Sequence, residues 1–490
     1  MNTFMNGLID ETNVGLTENF AVKHLTTKSA VLDMFALCGA YRRRSEEDCI
    51  LAFKNAYEEN ATLALKCLFY LRDCRGGQGE RRFFRVCFRW LADNHPEAAI
   101  RNLNNVSEYG RWDDLIYSTV GTKVGKEALA IVATQLALDS ECKTPSLLAK
   151  WLPSENASSK ETKKMGNIVR QALGMSHKEY RQLLSLLRTR INIVEKLMSQ
   201  NKWDEIEFDK IPSKAGLIYR NAFARRDILS KKYEEFAKSN NTTVNASTLY
   251  PYDIAHKAFE GYRLSADSAE RLMIEKYWQA LPNFYGDNEE NGLAIVDTSG
   301  SMSGQPLEAA VSLGAYIAEK AHGPFAGHFI TFSHRPSLIK FEGIDIVDKF
   351  NRARRADWEM NTDLKAVFDM LLRVMKREGT KPEDVVQRLY IFSDMEFDRC
   401  LGVGYDGNAE GKVNTLLESI AEEWAAEGYE LPSVVFWNLD ARTQNIPALG
   451  GRFSYVSGLS PVMIETILSG KDGWDLMLSK LLSERYKAII

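Results

Sequence analysis

The hydrophobic positions follow two different rhythms along the chain. As far as about residue 285 they recur at helical spacing. Phe83, Val86, Cys87, Trp90 and Leu91 stand at i, i+3, i+4, i+7 and i+8, which is one face of a helix. Asn94-His95-Pro96 predicts its end, because a proline pushes the residue before it out of the helical region. Leu183, Leu186, Leu187, Ile191, Val194 and Met198 predict a longer amphipathic stripe, and Leu65, Leu68 and Phe69 a shorter one. Polar joints such as Arg75-Gly76-Gly77-Gln78-Gly79 and the run Ser154-Glu155-Asn156 separate the stripes. Many helices with short joints predict an all-α helical-repeat part of stacked, HEAT-like pairs, without a strict repeat period.

The rhythm changes after Pro282-Asn283 and Tyr285-Gly286-Asp287-Asn288, which are turn chemistry. The predicted division is therefore 1–285 and 286–490. Beyond it, short apolar runs at 293–296, 329–332, 389–392, 434–437 and 454–456 alternate with helical patterns. Those patterns start at Pro306 and lie near 363–376, 413–426 and 474–486. Strands alternating with helices predict an open, mostly parallel, Rossmann-like α/β sheet.

A chain of 490 residues is too long for one ordinary core, which agrees with a multidomain reading. The formal net charge of −4 means that any nucleic-acid surface has to be a local patch. The seven cysteines are scattered and form no CxxC or Cys/His cluster at zinc spacing, as expected of reduced thiols in a cytoplasmic protein. The N-terminal stretch lacks a basic region followed by an apolar core, so no signal peptide is expected. No apolar run is long enough to span a bilayer, so no membrane partner is expected.

The stretch Leu293-Ala294-Ile295-Val296-Asp297-Thr298-Ser299-Gly300-Ser301 carries the chemistry. A buried strand ends in an acid, a Ser/Gly loop follows, and Pro306 opens a helix. Ligands of open α/β sheets sit outside the carboxyl ends of the strands. The DxSxS spacing lets one carboxylate and two hydroxyls converge from a single loop. These hard oxygens suit Mg²⁺, with Mn²⁺ or Ca²⁺ as substitutes.

DxSxS after a hydrophobic strand resembles the metal-ion-dependent adhesion site of von Willebrand factor A domains. That resemblance implies two further ligands. Thr362 in Trp358-Glu359-Met360-Asn361-Thr362-Asp363 matches the family's threonine, and Asp394 in Leu389-Tyr390-Ile391-Phe392-Ser393-Asp394 matches its later aspartate. The implied metal set is Asp297, Ser299, Ser301, Thr362 and Asp394, with a coordination position left for a carboxylate from a protein partner. Read without the resemblance, an acid followed by Ser and Gly at a strand end is also an ordinary cap and turn.

Longer strings resemble the family called domain of unknown function 2828: Phe69-Tyr70-Leu71-Arg72-Asp73-Cys74-Arg75-Gly76-Gly77-Gln78-Gly79, Tyr109-Gly110-Arg111-Trp112-Asp113-Asp114, Asp357-Trp358-Glu359, Phe392-Ser393-Asp394-Met395-Glu396-Phe397-Asp398 and Val435-Phe436-Trp437-Asn438. The resemblance runs from about residue 30 to 485. That family in turn resembles the Ro autoantigen group, in which a helical-repeat TROVE module is joined to a von Willebrand factor A domain. The Ro likeness implies binding of small non-coding or single-stranded RNA. Basic residues available for it are Arg72, Arg75, Arg81, Arg82, Lys163, Lys164, Arg170, Arg188, Arg190 and Arg225, with Tyr109, Trp112 and Tyr219 as stacking surfaces. Arginines on helices also commonly form a solvated face or pair with nearby acids.

Three classes follow. The first is a non-enzymatic RNA-binding scaffold with a metal-dependent docking site. The second is a metal-dependent protein–protein adhesion module without RNA. The third, ranked last, is a metal-dependent hydrolase: the sequence has no P-loop and no GxSxG elbow, and His322, His328 and His334 are isolated.

Overall fold

The computed structural model describes residues 12–18, 21–191, 193–287, 289–332, 335–355, 363–381, 384–397, 415–449, 452–468 and 473–490. They form two compact units. One combines residues 1–64 with 246–483, and the other combines 65–245 with 484–490.

The first unit is α/β. A small antiparallel hairpin pairs β1 (Val14–Leu16) with β2 (Val22–His24). The main sheet contains β3 (Gly292–Asp297), β4 (His328–Phe332), β5 (Ser337–Lys340), β6 (Arg388–Ser393), β7 (Ser433–Asn438) and β8 (Phe453–Ser457), in the order β5-β4-β3-β6-β7-β8. All neighbours are parallel except β5, which runs antiparallel on the edge. Every residue of β3, β6 and β8 is buried. Strands covered on both faces need near-continuous apolar runs, which is why 293–296 and 389–392 are legible in the sequence.

The helix Gln305–Lys320 packs against β3. Gly314 permits the close approach, since a Cβ there would lie 2.5 Å from Val296 Cγ2. From β3 the chain proceeds to β4 on one side, and from β6 to β7 on the other. The strand order therefore reverses between the carboxyl ends of β3 and β6, the place where open α/β sheets form a crevice.

The compact units cut the chain differently from the division at residue 285. The helices Ala30–Leu37, Pro251–Glu260 and Ala269–Gln279 belong to the sheet's unit. Gly39 N–H donates to Ser457 Oγ at the end of β8, at 2.9 Å. Arg271 is held by Asp345 at 2.7 Å, and the Trp278 indole N–H donates to Glu319. The sheet needs helices on its faces, and it recruits them from earlier sequence whose periodicity does not reveal what it packs on.

The second unit is helical throughout its described residues. Phe69, Phe84, Phe88 and Tyr109 form an edge-packed aromatic cluster, with centroids 5.3–6.1 Å apart. Phe208, Phe223 and Tyr233 form another. The helix Arg81–Asn94 ends where Asn94-His95-Pro96 predicts, and Pro96–Tyr109 follows. The long stripe from Leu183 to Met198 is instead two helices, His177–Arg190 and Val194–Ser199. Tyr180, Leu184 and Leu187 face inward, and Leu186 is exposed. The sequence reading missed the β1–β2 hairpin, the edge strand β5, which alternates half-buried and exposed positions, and the helix Ile346–Arg355, whose Phe350 is buried against Phe259, Trp278 and Phe341.

Candidate metal centre and basic surface

Asp297 is the last residue of β3. The register that pairs Val296 with Phe392 sets it beside Ser393, the last residue of β6, with Asp394 next along the chain. Asp297 is 0% exposed and Asp394 1%. The Ser299 N–H donates to Asp297 Oδ1 at 2.9 Å, and the Ser393 hydroxyl donates to Asp297 Oδ2 at 2.5 Å. The Ser299 and Ser301 hydroxyl oxygens are 2.9 Å apart. Gly300–Met302 is a single tight turn that points both serines to one place, and Gly304, at φ +86°, leads into Gln305–Lys320.

Asp394 accepts the Glu396 N–H on Oδ1 at 3.2 Å and the Arg442 guanidinium on Oδ2 at 2.6 Å. Between them Met395 adopts φ +65°, a costly backbone for a non-glycine residue, and its N–H donates to Ser393 Oγ at 2.9 Å.

Two acids therefore share a buried crevice. Burial first, and then the negative charge of Asp394, push the Asp297 carboxyl up to about 7, while the hydrogen bonds from Ser393 and Ser299 pull the other way. A divalent cation relieves such a conflict. The candidate donors are all oxygens, and the 2.9 Å between the Ser299 and Ser301 hydroxyls is the spacing of adjacent ligands in octahedral Mg²⁺, whose metal–oxygen bonds are about 2.0–2.1 Å. Among the described residues, no group of three or more His, Cys, Asp or Glu side chains is placed to hold a metal ion. Thr298 Oγ1 and Asn438 Nδ2 are buried beside these strand ends with no hydrogen-bond partner among the described residues. Thr362, with Asp357 and Glu359, lies outside the described residues, as does Asp398. Asp363 caps the helix Leu364–Glu378 through the Ala366 N–H at 2.9 Å. Glu396 accepts the Glu18 N–H at 2.8 Å and also the Thr443 hydroxyl. His322 and His328 sit against loop carbonyl oxygens, and His334 is outside the described residues.

The chain belongs to the family described as Domain of unknown function (DUF2828). Its match covers residues 17–117 and 139–283. A second description, Domain of unknown function (DUF7788), matches residues 291–480. The strings from Asp357 onward, read as part of the DUF2828 resemblance, fall within that second match. The two descriptions meet at the turn-rich stretch the sequence points to, whereas the compact units interleave. A relative of this DUF2828 chain is the uncharacterized protein L728 of Acanthamoeba polyphaga mimivirus, 30% identical over 94% of this chain and 85% of that protein.

The basic residues divide by what they already hold. Arg72 is 3% exposed and grips Asp114 through Nε and Nη2, at 2.8 and 2.6 Å. Arg170 is paired with Glu155 at 2.7 Å. Arg188 spends its three nitrogens on Ala149 O, Ser154 Oγ and Leu152 O. These three, expected on an RNA surface, are occupied within the protein and offer little to a phosphate. Arg75 and Arg190 each donate to one carbonyl, Glu108 O and Ser140 O. Arg81, Arg82, Lys163, Lys164 and Arg225 are exposed. Tyr109 is buried and stacked on Tyr486 at 5.6 Å, so it presents no face to a base.

Ser393 and Arg442 were missed by sequence reasoning. Ser393 had a signal, a hydroxyl immediately before a strand-ending acid. Arg442 had none, because 48 residues separate it from Asp394. No described helix is long and apolar enough to cross a membrane.

Proposed function

We propose that the protein is a non-enzymatic scaffold with a von Willebrand factor A-type, divalent-metal-dependent docking site and a TROVE-like helical part that binds small or single-stranded RNA. The observation that carries the docking half is the Ser393 bridge to Asp297. It joins the ends of two adjacent strands into one buried acidic crevice beside paired serine hydroxyls. Asp297, Ser299, Ser301 and Asp394 would hold Mg²⁺, with Thr362 as the further ligand the resemblance implies. The ion would supply an electrophilic face for a partner's carboxylate. Few anionic groups reach it, so it stays hungry for oxygen.

The RNA half is supported by the Ro likeness and by Arg81, Arg82, Lys163, Lys164 and Arg225, which project from the helical unit. The withdrawal of Arg72, Arg170 and Arg188 into internal bonds favours the second reading, metal-dependent protein adhesion without RNA. Two measurements separate them. Retention of labelled single-stranded RNA that falls steeply with salt supports the scaffold. No retention at low salt, together with Mg²⁺-dependent capture of an acidic protein, leaves adhesion alone.

A further inference from the structure

The helical unit holds a cleft of about 530 Å³ beside the short helices Leu148–Trp151 and Val194–Ser199. That volume is in the range of small-ligand sites, about 300–1,000 Å³. Its walls carry three kinds of chemistry. Two flat rings, Trp151 and Tyr117, line it. Each is braced by a guanidinium, Arg111 at 3.9 Å from the Trp151 centroid and Arg85 at 4.7 Å from that of Tyr117. Their positions are set before any ligand arrives.

The second element is charge. Lys150, Lys196 and Arg188 line the cleft against Asp113 and Glu195. Asp113 is already neutralised by Arg85 and Arg111, at 2.8 and 2.6 Å. Arg188 binds carbonyl and hydroxyl oxygens but no carboxylate among the described residues. Lys196 reaches the Ser185 hydroxyl at 3.3 Å and likewise meets no described carboxylate. The lining is left with excess positive charge.

The third is an acceptor. The Glu195 side chain is 36% exposed, the Tyr219 hydroxyl is bonded to its carboxylate, and the Lys150 ammonium stands 3.7 Å from Oε1, which leaves an accessible carboxylate oxygen for a ligand's N–H or O–H.

We propose that this cleft is a nucleotide subsite: a planar base rests against Trp151 and Tyr117, a phosphate meets Lys196, and a base amine or ribose hydroxyl donates to Glu195. A ring, an anion and a donor on one small molecule describe a nucleoside monophosphate. A phosphotyrosine side chain has the first two and lacks the third. The subsite deepens the RNA reading above, because the same chemistry arrives either as a free nucleotide or as one residue of a single strand.

The experiment uses the full chain with AMP, GMP, CMP and UMP, followed by saturation-transfer NMR and calorimetry, with adenosine, inorganic phosphate and phosphotyrosine as controls. At least one nucleotide is expected to bind, its nucleoside about tenfold more weakly, since a charge-assisted contact is lost. K196E, at a half-buried position of the helix Val194–Ser199, should lose about tenfold in affinity with its far-UV circular dichroism unchanged. E195Q should alter the ranking of the four bases. The subsite is overturned if no nucleotide binds at millimolar concentration, if phosphotyrosine binds better, or if K196E and W151L leave binding unchanged. Displacement of bound AMP by a single-stranded RNA decamer identifies RNA as the source, and indifference to the decamer identifies a free nucleotide. RNA retention without nucleotide binding sinks the subsite and spares the RNA reading. Nucleotide binding without RNA retention does the reverse.

Discussion

The Ser393 hydroxyl donates to Oδ2 of Asp297 from the end of the neighbouring strand, 2.5 Å away. This bond fixes the acid's orientation while Ser299 N–H holds its other oxygen. Groups that orient a ligand are worth about 10- to 100-fold in metal affinity. S393A is therefore expected to weaken Mn²⁺ binding by about that factor, as read by calorimetry, with the fold intact. Unchanged affinity would remove Ser393 from the site.

Replacing Asp297 and Ser299 together by alanine should abolish Mn²⁺ binding while far-UV circular dichroism stays the same. D297N alone should behave differently in metal-free solution. It removes one of two like charges sharing a buried crevice, so its melting temperature in EDTA should equal or exceed the parent's. It should also lose the stabilisation that Mn²⁺ gives the parent. A D297N protein that still gains stability from Mn²⁺ would contradict the assignment.

Acid should loosen the helical unit through Asp73. This carboxylate is 0% exposed and is bonded to Arg485, Tyr486 and the Arg75 N–H. Burial acts to raise its pKa, but the bonds from Arg485 and the Arg75 and Gly76 backbone outweigh it, and the carboxyl is held below its ordinary 3.8. A depressed folded value means a contribution fully present above the unfolded value and lost as pH falls through the folded one. Urea titrations should thus show weakening below about pH 4, the ordinary carboxylate range. D73N should cost about 3 kcal/mol at neutral pH, because Arg485 loses a buried partner, and should flatten that acid limb.

The basic residues offer a contrast. Charge reversal at Lys163, Lys164 or Arg225 should leave stability within about 0.5 kcal/mol. Each that contacts a phosphate should lower the slope of log affinity against log salt by about one. R72A should instead destabilise by about 2–3 kcal/mol, since it removes two charged donors from Asp114 Oδ2 and leaves that buried carboxylate to Arg85 and the Arg111 N–H. Salt slopes unchanged from the parent's in all the exposed variants would count against this RNA surface.

Legibility followed burial. The parallel strands β3, β6 and β7 and the helix opened by Pro306 appear in the sequence because two covered faces demand unbroken apolar runs. β5 did not, since an edge strand with one wet face carries a weak, short alternation. Asp297, Ser299 and Ser301 were legible because one loop supplies them in a fixed spacing. Arg442 was not, and neither was the loss of Arg72 to Asp114, since both depend on partners more than 40 residues away.

By itself, then, the amino-acid order settled the local facts: where strands and helices start, which loop bears the oxygen donors, and which family the chain resembles. Tertiary structure decided which distant segments share a core, so that residues 1–64 and 246–283 join the sheet and 484–490 join the helices. It also decided which charged side chains are consumed internally. The physical reason is range. Periodicity and turn chemistry act over a few residues, whereas burial and charge pairing are set by whatever the folded chain brings alongside.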